Sequence, residues 1–313
     1  MKRILITGAF GQVGSELVTK LRKIYGNNNV IATDIKHLEI NSSDGPFEMV
    51  DVTAGNDLFN VAKKYNVDTI MHMAALLSAI SEEAPQKAWD INMGGLVNAL
   101  EVARQLGLAV FTPSSIGAFG PSTPKDNTPQ DTLMRPNTMY GVNKVSGELL
   151  CDYYHSRYGV DTRGVRFPGL ISYKTEPGGG TTDYAVEIYH EAIHNKSYTS
   201  FIDEHTKMDM MYMPDAINAI IDLMEANPDR LLHRNAFNVT SFSASPADFA
   251  RAIRKHIPDF QLSYDVDPIR QHIAESWPNH IDASAAIQEW DFNAKYGLDE
   301  TTEDMLNKLA VVK

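Results

Sequence analysis

Apolar and polar positions alternate in blocks through the first half of the chain. A β-branched run, Ile4-Leu-Ile-Thr7, is followed by Gly8, Gly11 and Gly14. An amphipathic pattern at Val13, Leu17, Val18 and Leu21 then fits one helix face. Further apolar runs predict strands at 2–8, 29–35, 47–52, 69–75, 109–115 and 161–170. Helical patterns between them predict helices at 12–25, 54–65, 84–106 and 139–158. Strands that are apolar throughout and separated by helices belong in a parallel sheet covered on both faces. The expected fold class is therefore α/β, a Rossmann-type doubly wound sheet.

The second half changes character. Helices are predicted near 183–195, 214–226, 246–256, 283–289 and 299–310, and strands at 236–240 and 262–266. With no linker or repeat, this reads as a smaller α/β substrate lobe, 171–313, interleaved with a nucleotide-binding domain, 1–170. A strand near 236–241 is expected to rejoin the main sheet. Glu176-Pro-Gly-Gly-Gly180 reads either as a loop that closes over a substrate or as a plain connection.

A strand, a glycine-rich turn and a helix start make an anion-binding site. Gly8 allows the turn, Gly11 lets backbone approach a pyrophosphate, and Gly14 lets the helix pack against the strand. The N–H groups of Gln12 and Val13 then face the phosphates. Asp34 ends the second strand, twenty residues past Gly14, where a carboxylate can hold both ribose hydroxyls and repel a 2′-phosphate. That favours NAD over NADP, an inference the nearby Lys36 softens. Asp51 and Val52 end the third strand where an adenine edge could be read. Ala74 and Ala75 follow the fourth, small enough to run beside a cofactor.

Tyr140 and Lys144 are four apart and share a helix face. A phenol ordinarily titrates near about 10. An adjacent ammonium and a cationic nicotinamide ring favour the phenolate a base needs. Ser114 and Ser115, at the end of the fifth strand, read as hydroxyl donors to a substrate oxygen or as a strand-end turn.

Thr7-Gly-x-x-Gly-x-x-Gly14, Ser114-Ser115 and Tyr140-x-x-x-Lys144 together resemble the extended short-chain dehydrogenase/reductases along nearly the whole chain. Within them, five stretches resemble the short-chain type of L-threonine 3-dehydrogenase. They are His72–Ala79, Pro113–Pro121, Arg166–Gly169, Pro177–Ala185 and Ser276-Trp-Pro278. The resemblance implies NAD-dependent oxidation of the threonine β-hydroxyl to 2-amino-3-oxobutanoate. It implies Tyr140 as base, Lys144 as holder of the nicotinamide ribose, and Ser115, with Ser114 beside it, as partner of the reacting oxygen. Ser78, Thr181, Thr182 and Asp183 would grip the amino acid, and Pro168 would meet the carboxamide. It also implies a homodimer in which helices 84–106 and 139–158 form a four-helix seam, with Val97, Leu100, Val102 and Leu106 as candidates.

The net charge of −12 argues against nucleic acid or an anionic membrane as partner. One cysteine, Cys151, excludes an intrachain disulfide framework and a cysteine-built zinc site. His190 and His194 have metal-ligand spacing but no acidic or cysteine partner in their stretch, so no metal is expected. No apolar span is long enough for a membrane, and a strand starting at residue 2 leaves no room for a signal peptide; the expected location is cytoplasmic. A nucleotide-sugar epimerase or dehydratase would share this scaffold, and an NAD-sensing protein without turnover would share the cofactor site. Lys207–Met213 lacks the arginine expected of a diphosphate grip, which favours a small substrate.

Overall fold

The structure, a computed structural model, describes residues 1–36, 44–174 and 180–311. Of the glycine-rich stretch 176–180, only Gly180 falls within the described residues. Two compact units emerge: residues 1–114, 138–166 and 217–237 form one, and 115–137, 167–216 and 238–313 the other.

The first unit opens with β1 (Ile4–Thr7), α1 (Gln12–Tyr25), β2 (Val30–Asp34), β3 (Phe47–Met49), α2 (Gly55–Lys64) and β4 (Thr69–His72). Then come α3 (Ser78–Glu83), α4 (Pro85–Trp89), α5 (Gly95–Leu106), β5 (Ala109–Phe111), the two-residue β6 (Ser114–Ser115), of which Ser114 is this unit's, α6 (Met139–Tyr158) and β7 (Thr162–Arg163). Six strands pair in the order β3-β2-β1-β4-β5-β7, all parallel. Thr7 stands level with Thr33 and His72, so β1, β2 and β4 end together. Strand order reverses between β1 and β4, and this is where such sheets open a ligand crevice. Ile4, Leu5 and Ile6 are fully buried in β1. On one sheet face Leu58, Ala62, Leu96, Leu100 and Tyr154 pack as a single core.

Three predicted elements are broken, each for a local reason. The 84–106 helix is interrupted: Pro85 starts α4, residues 90–94 form a widened π turn, and α5 follows. The π turn accompanies a specific contact. Asn92 Oδ1 accepts the Leu76 N–H at 2.7 Å, and its Nδ2 donates to the Leu76 carbonyl at 3.1 Å, fixing the loop after β4. The 109–115 strand stops at Thr112-Pro113, since proline has no N–H for a ladder. The 161–170 strand becomes Thr162–Arg163, Val165–Phe167 and Gly169–Ile171, divided at Gly164 and Pro168. Gly164 donates to the Arg234 carbonyl at 3.2 Å and accepts the Phe237 N–H at 3.0 Å, but the strand there, Phe237–Asn238, belongs to a separate three-stranded sheet and does not rejoin the six-stranded one as expected. A Cβ there would stand 2.5 Å from the Thr112 oxygen.

In the second unit, Met208–Tyr212 pairs parallel with Gly169–Ile171 and antiparallel with Phe242–Ala244. Ser197–Ser200 pairs with Gln261–Tyr264. Helices Tyr184–His194, Pro246–Arg254 and Leu298–Val311 contribute to a core centred on Tyr184, Tyr189, Tyr212, Phe249 and Phe260. The sequence reading missed strands 197–200, 208–212 and 242–244 and the helix Pro268–Ser276. Met208–Tyr212 is buried at every position. The apolar character of that stretch therefore reflects core packing and carries no information on substrate size.

Three of the four candidate seam residues belong with the core instead. Leu100 and Val102 are buried in the first unit's own core, and Leu106 packs against it. Val97 alone of the four is exposed. Cys151 is buried in the same core, and burial pushes its thiol well above the ordinary range, so it stays protonated. Among the described residues no helix is long and apolar enough to cross a membrane.

Candidate active site

The glycine loop is dictated by packing. Gly8 has φ +64°, and a Cβ on it would lie 2.7 Å from the Ala74 nitrogen. A Cβ on Gly14 would lie 2.1 Å from the Gly8 carbonyl oxygen, so α1 touches the end of β1 through bare backbone. The crowding at Gly11 is milder, 3.3 Å to the same oxygen. Among the described residues no side chain caps α1, whose first turn, including Gln12 and Val13, holds no acid. Its N–H groups and positive dipole end suit an anion.

Asp34 reaches back over this loop. Its Oδ2 accepts the Phe10 N–H at 3.0 Å and its Oδ1 the Lys36 N–H at 3.1 Å. The carboxylate is thus fixed beside the glycine turn with lone pairs remaining for hydroxyl donors. Asp51 uses Oδ1 to close its own turn, accepting from the Thr53 N–H at 2.9 Å and hydroxyl at 2.7 Å. Val52 is buried. The Ala74 N–H donates to Thr7 Oγ1 at 3.3 Å, holding the Ala74-Ala75 loop against β1. An uncapped helix start, a bare-backbone turn and an oriented carboxylate fit a dinucleotide.

The first turn of α6 carries Tyr140, and Lys144 follows one turn later. Thr138 caps it, its Oγ1 accepting the Gly141 N–H at 3.1 Å. Lys144 Nζ stands 5.3 Å from the centre of the half-buried Tyr140 ring and donates to the Pro113 carbonyl at 2.7 Å. Ser78 lies at the start of α3.

Ser114 departs from its expected role. Its hydroxyl donates to Glu148, which also accepts from Arg166 Nε at 3.0 Å and Nη2 at 2.8 Å. Ser114, Glu148 and Arg166 are all buried. The serine proton is spent on a structural network, not offered to a substrate. Sequence reasoning missed Glu148 and Arg166, although a signal existed. Glu148 continues the Tyr140–Lys144 face by one more turn, and Arg166 interrupts an apolar strand, so each charge calls for an opposite one.

In the second unit, Ser115 Oγ accepts the Gly117 N–H at 3.1 Å, leaving its proton to donate. Pro168 is buried just before the Gly169–Ile171 strand. Thr181 is buried. Thr182 packs against Gly169, where a Cβ would meet its Cγ2 at 2.9 Å. Asp183 Oδ2 accepts the Gly180 N–H at 2.6 Å, so part of this carboxylate holds the turn before helix Tyr184–His194. His194 Nδ1 lies 2.7 Å from the His190 carbonyl, a local helix contact. Among the described residues no cluster of three or more potential metal ligands occurs.

His72 ends β4, fully buried. Burial first, and the Lys144 charge second, hold its imidazole down at about 4, against an ordinary 6.5. The unfolded chain takes up this proton near 6.5 and the folded chain only near 4. The stability it contributes is thus complete above pH 6.5 and is lost as pH falls toward 4, on the order of 3 kcal/mol in all. Urea melts at pH 7 and 4.5 should show the wild type losing more stability than His72→Gln. Equal losses would contradict the burial of a neutral imidazole.

The first unit, then, is that of a nucleotide-dependent enzyme of the extended short-chain dehydrogenase/reductase class. Residues 4–240 match the NAD dependent epimerase/dehydratase family, and the chain belongs to that family. NAD is the cofactor that goes with membership. Over 99% of its length the chain is 59% identical to 98% of an "uncharacterized epimerase/dehydratase" of Staphylococcus haemolyticus. It is 63% identical to an L-threonine dehydrogenase of Clostridium difficile, with TM-score 0.98, covering 100% of this chain and 98% of that one. A metagenomic L-threonine 3-dehydrogenase described as monomeric is 41% identical, with TM-score 0.94 and 99% of each chain covered.

Proposed function

We propose that this protein oxidises the β-hydroxyl of L-threonine to 2-amino-3-oxobutanoate with NAD as acceptor. The observation that carries the reading is the Tyr140–Lys144 pair, 5.3 Å from ammonium to ring centre, in a chain 63% identical to a threonine dehydrogenase along its whole length. Gly8, Gly11, Gln12, Val13, Gly14, Asp34, Val52, Ala74, Ala75 and Pro168 would hold the dinucleotide, with Asp51 near the adenine. Bound NAD supplies the acceptor for the hydride leaving the substrate β-carbon. Tyr140 takes the hydroxyl proton, and the Lys144 ammonium favours negative charge on its oxygen while binding ribose. Ser115 donates to the reacting oxygen. Ser78, Thr181, Thr182 and Asp183 grip the carboxylate and ammonium. The nucleotide thus falls to the N-terminal domain, near 1–170, and the substrate grip mainly to 171–313, in a protein that works in the cytoplasm. Purified protein should form NADH from L-threonine in step with aminoacetone, the decarboxylation product; no NADH would remove the reading.

Asp34→Ala should weaken NAD by about tenfold and leave NADP little changed, since only NAD loses a good carboxylate–hydroxyl contact. Titration of both nucleotides checks this, and an equal loss would move the ribose elsewhere.

The dimer expectation stands on a revised set of residues. Val142, Leu149 and Tyr153 on α6 and Trp89 and Val97 on α4 and α5 are exposed. An apolar stripe along helices is what a helix-pair interface buries. Leu149→Glu should halve the mass seen by light scattering. A wild type of monomer mass, like its metagenomic neighbour's description, would refute pairing through this face.

A further inference from the structure

Behind the Tyr140–Lys144 face lies a cavity whose wall includes His72, Pro113, Asn143, Lys144, Glu148 and Cys151. Two of its buried polar atoms, His72 Nε2 and Asn143 Oδ1, have no hydrogen-bond partner among the described residues. The residues are 3% and 2% exposed. Buried polar atoms in native proteins are almost always paired, with protein or with an ordered water.

The two atoms are complementary. Thr7 Oγ1 accepts the Ala74 N–H and lies 3.1 Å from His72 Nδ1. Aiming the Thr7 hydroxyl proton at Nδ1 satisfies both groups and puts the single proton of a neutral imidazole on Nε2, toward the cavity. Asn143 Nδ2 is committed to Met139 Sδ at 3.3 Å, which leaves Oδ1 as an acceptor. Lys144 brings three donors, of which one goes to the Pro113 carbonyl at 2.7 Å. The other charged groups nearby are already engaged: Glu148 is paired with Arg166, and the Cys151 thiol stays protonated.

We propose that one buried water occupies this cavity, accepting from His72 Nε2 and Lys144 Nζ and donating to Asn143 Oδ1. His72 and Asn143 are then positioning residues for Lys144, fixing its ammonium beside Tyr140. Three polar partners are the usual complement of an internal water. The inference rests on the roles given above to Tyr140 and Lys144.

A high-resolution crystal structure of the NAD-bound wild type should show one water within hydrogen-bonding distance of all three atoms. His72→Leu and Asn143→Leu should each lower kcat about tenfold through a misplaced lysine, with KM for threonine within about twofold of wild type. His72→Gln, which keeps a donor near the Nε2 position, should recover most of the loss. A direct His72–Asn143 bond, or no water, overturns the site. A water present with wild-type kcat in both leucine variants overturns the positioning role. If the leucine variants fail to fold, the wild-type density and the His72→Gln rate decide. Should Tyr140→Phe stay active while the water is seen, the assignment of the base fails and the water site stands.

Discussion

Tyr140→Phe should bind NAD with nearly unchanged affinity and lose most of its turnover of L-threonine. The change removes one oxygen from the first turn of α6, leaving the Thr138 cap and the Lys144–Pro113 contact in place. The ring is only half-buried, so loss of the phenol oxygen leaves the core intact. A positioned acid–base group contributes about 10²–10⁴-fold, so kcat should fall by that range. The effect belongs in kcat, since the proton is removed from bound substrate and not in forming the complex. Activity within a few-fold of wild type would take Tyr140 out of the reaction.

The largest expected stability effect lies two turns along the same helix. Glu148→Leu leaves the buried Arg166 guanidinium without its carboxylate and Ser114 without its acceptor. Breaking one side of a buried pair costs roughly 3–5 kcal/mol, because the remaining charge stays out of water. For a protein of this size that corresponds to a Tm lower by about 5–8 °C. Adding Arg166→Met should return much of the loss, since an apolar pair avoids the desolvation penalty. Thermal melts of wild type, single and double variants measure this. An unchanged Tm in Glu148→Leu would mean that the pair does not hold α6 to the Val165–Phe167 strand.

These residues also mark what the amino-acid pattern conveys. Gly8 and Gly14 are legible because bare backbone meets bare backbone, a need no other residue meets. Helices α1 and α6 match their predicted spans because a cap and a terminating glycine stand at the right places, Gly11 and Gly26 for the first, Thr138 and Gly159 for the second. The role of Gly164 was hidden, since its partners at Arg234 and Phe237 are some seventy residues away in the chain. The π turn at 90–94 keeps the apolar spacing of an ordinary helix, so periodicity could not reveal it. Strand Met208–Tyr212 is hidden for a related reason: burial on both faces removes the alternation that betrays a strand. Among the candidate site residues, the partner of Ser114 is not legible in the sequence, because its acceptor, Glu148, lies on another element.

The roles proposed for Tyr140 and Lys144 require that the β-hydrogen of threonine pass to NAD. L-threonine deuterated at its β-carbon, incubated with NAD and the purified protein, should give NADH carrying that deuterium, detected by mass spectrometry. NADH without the label, or no NADH together with conversion of UDP-galactose to UDP-glucose, would contradict those roles.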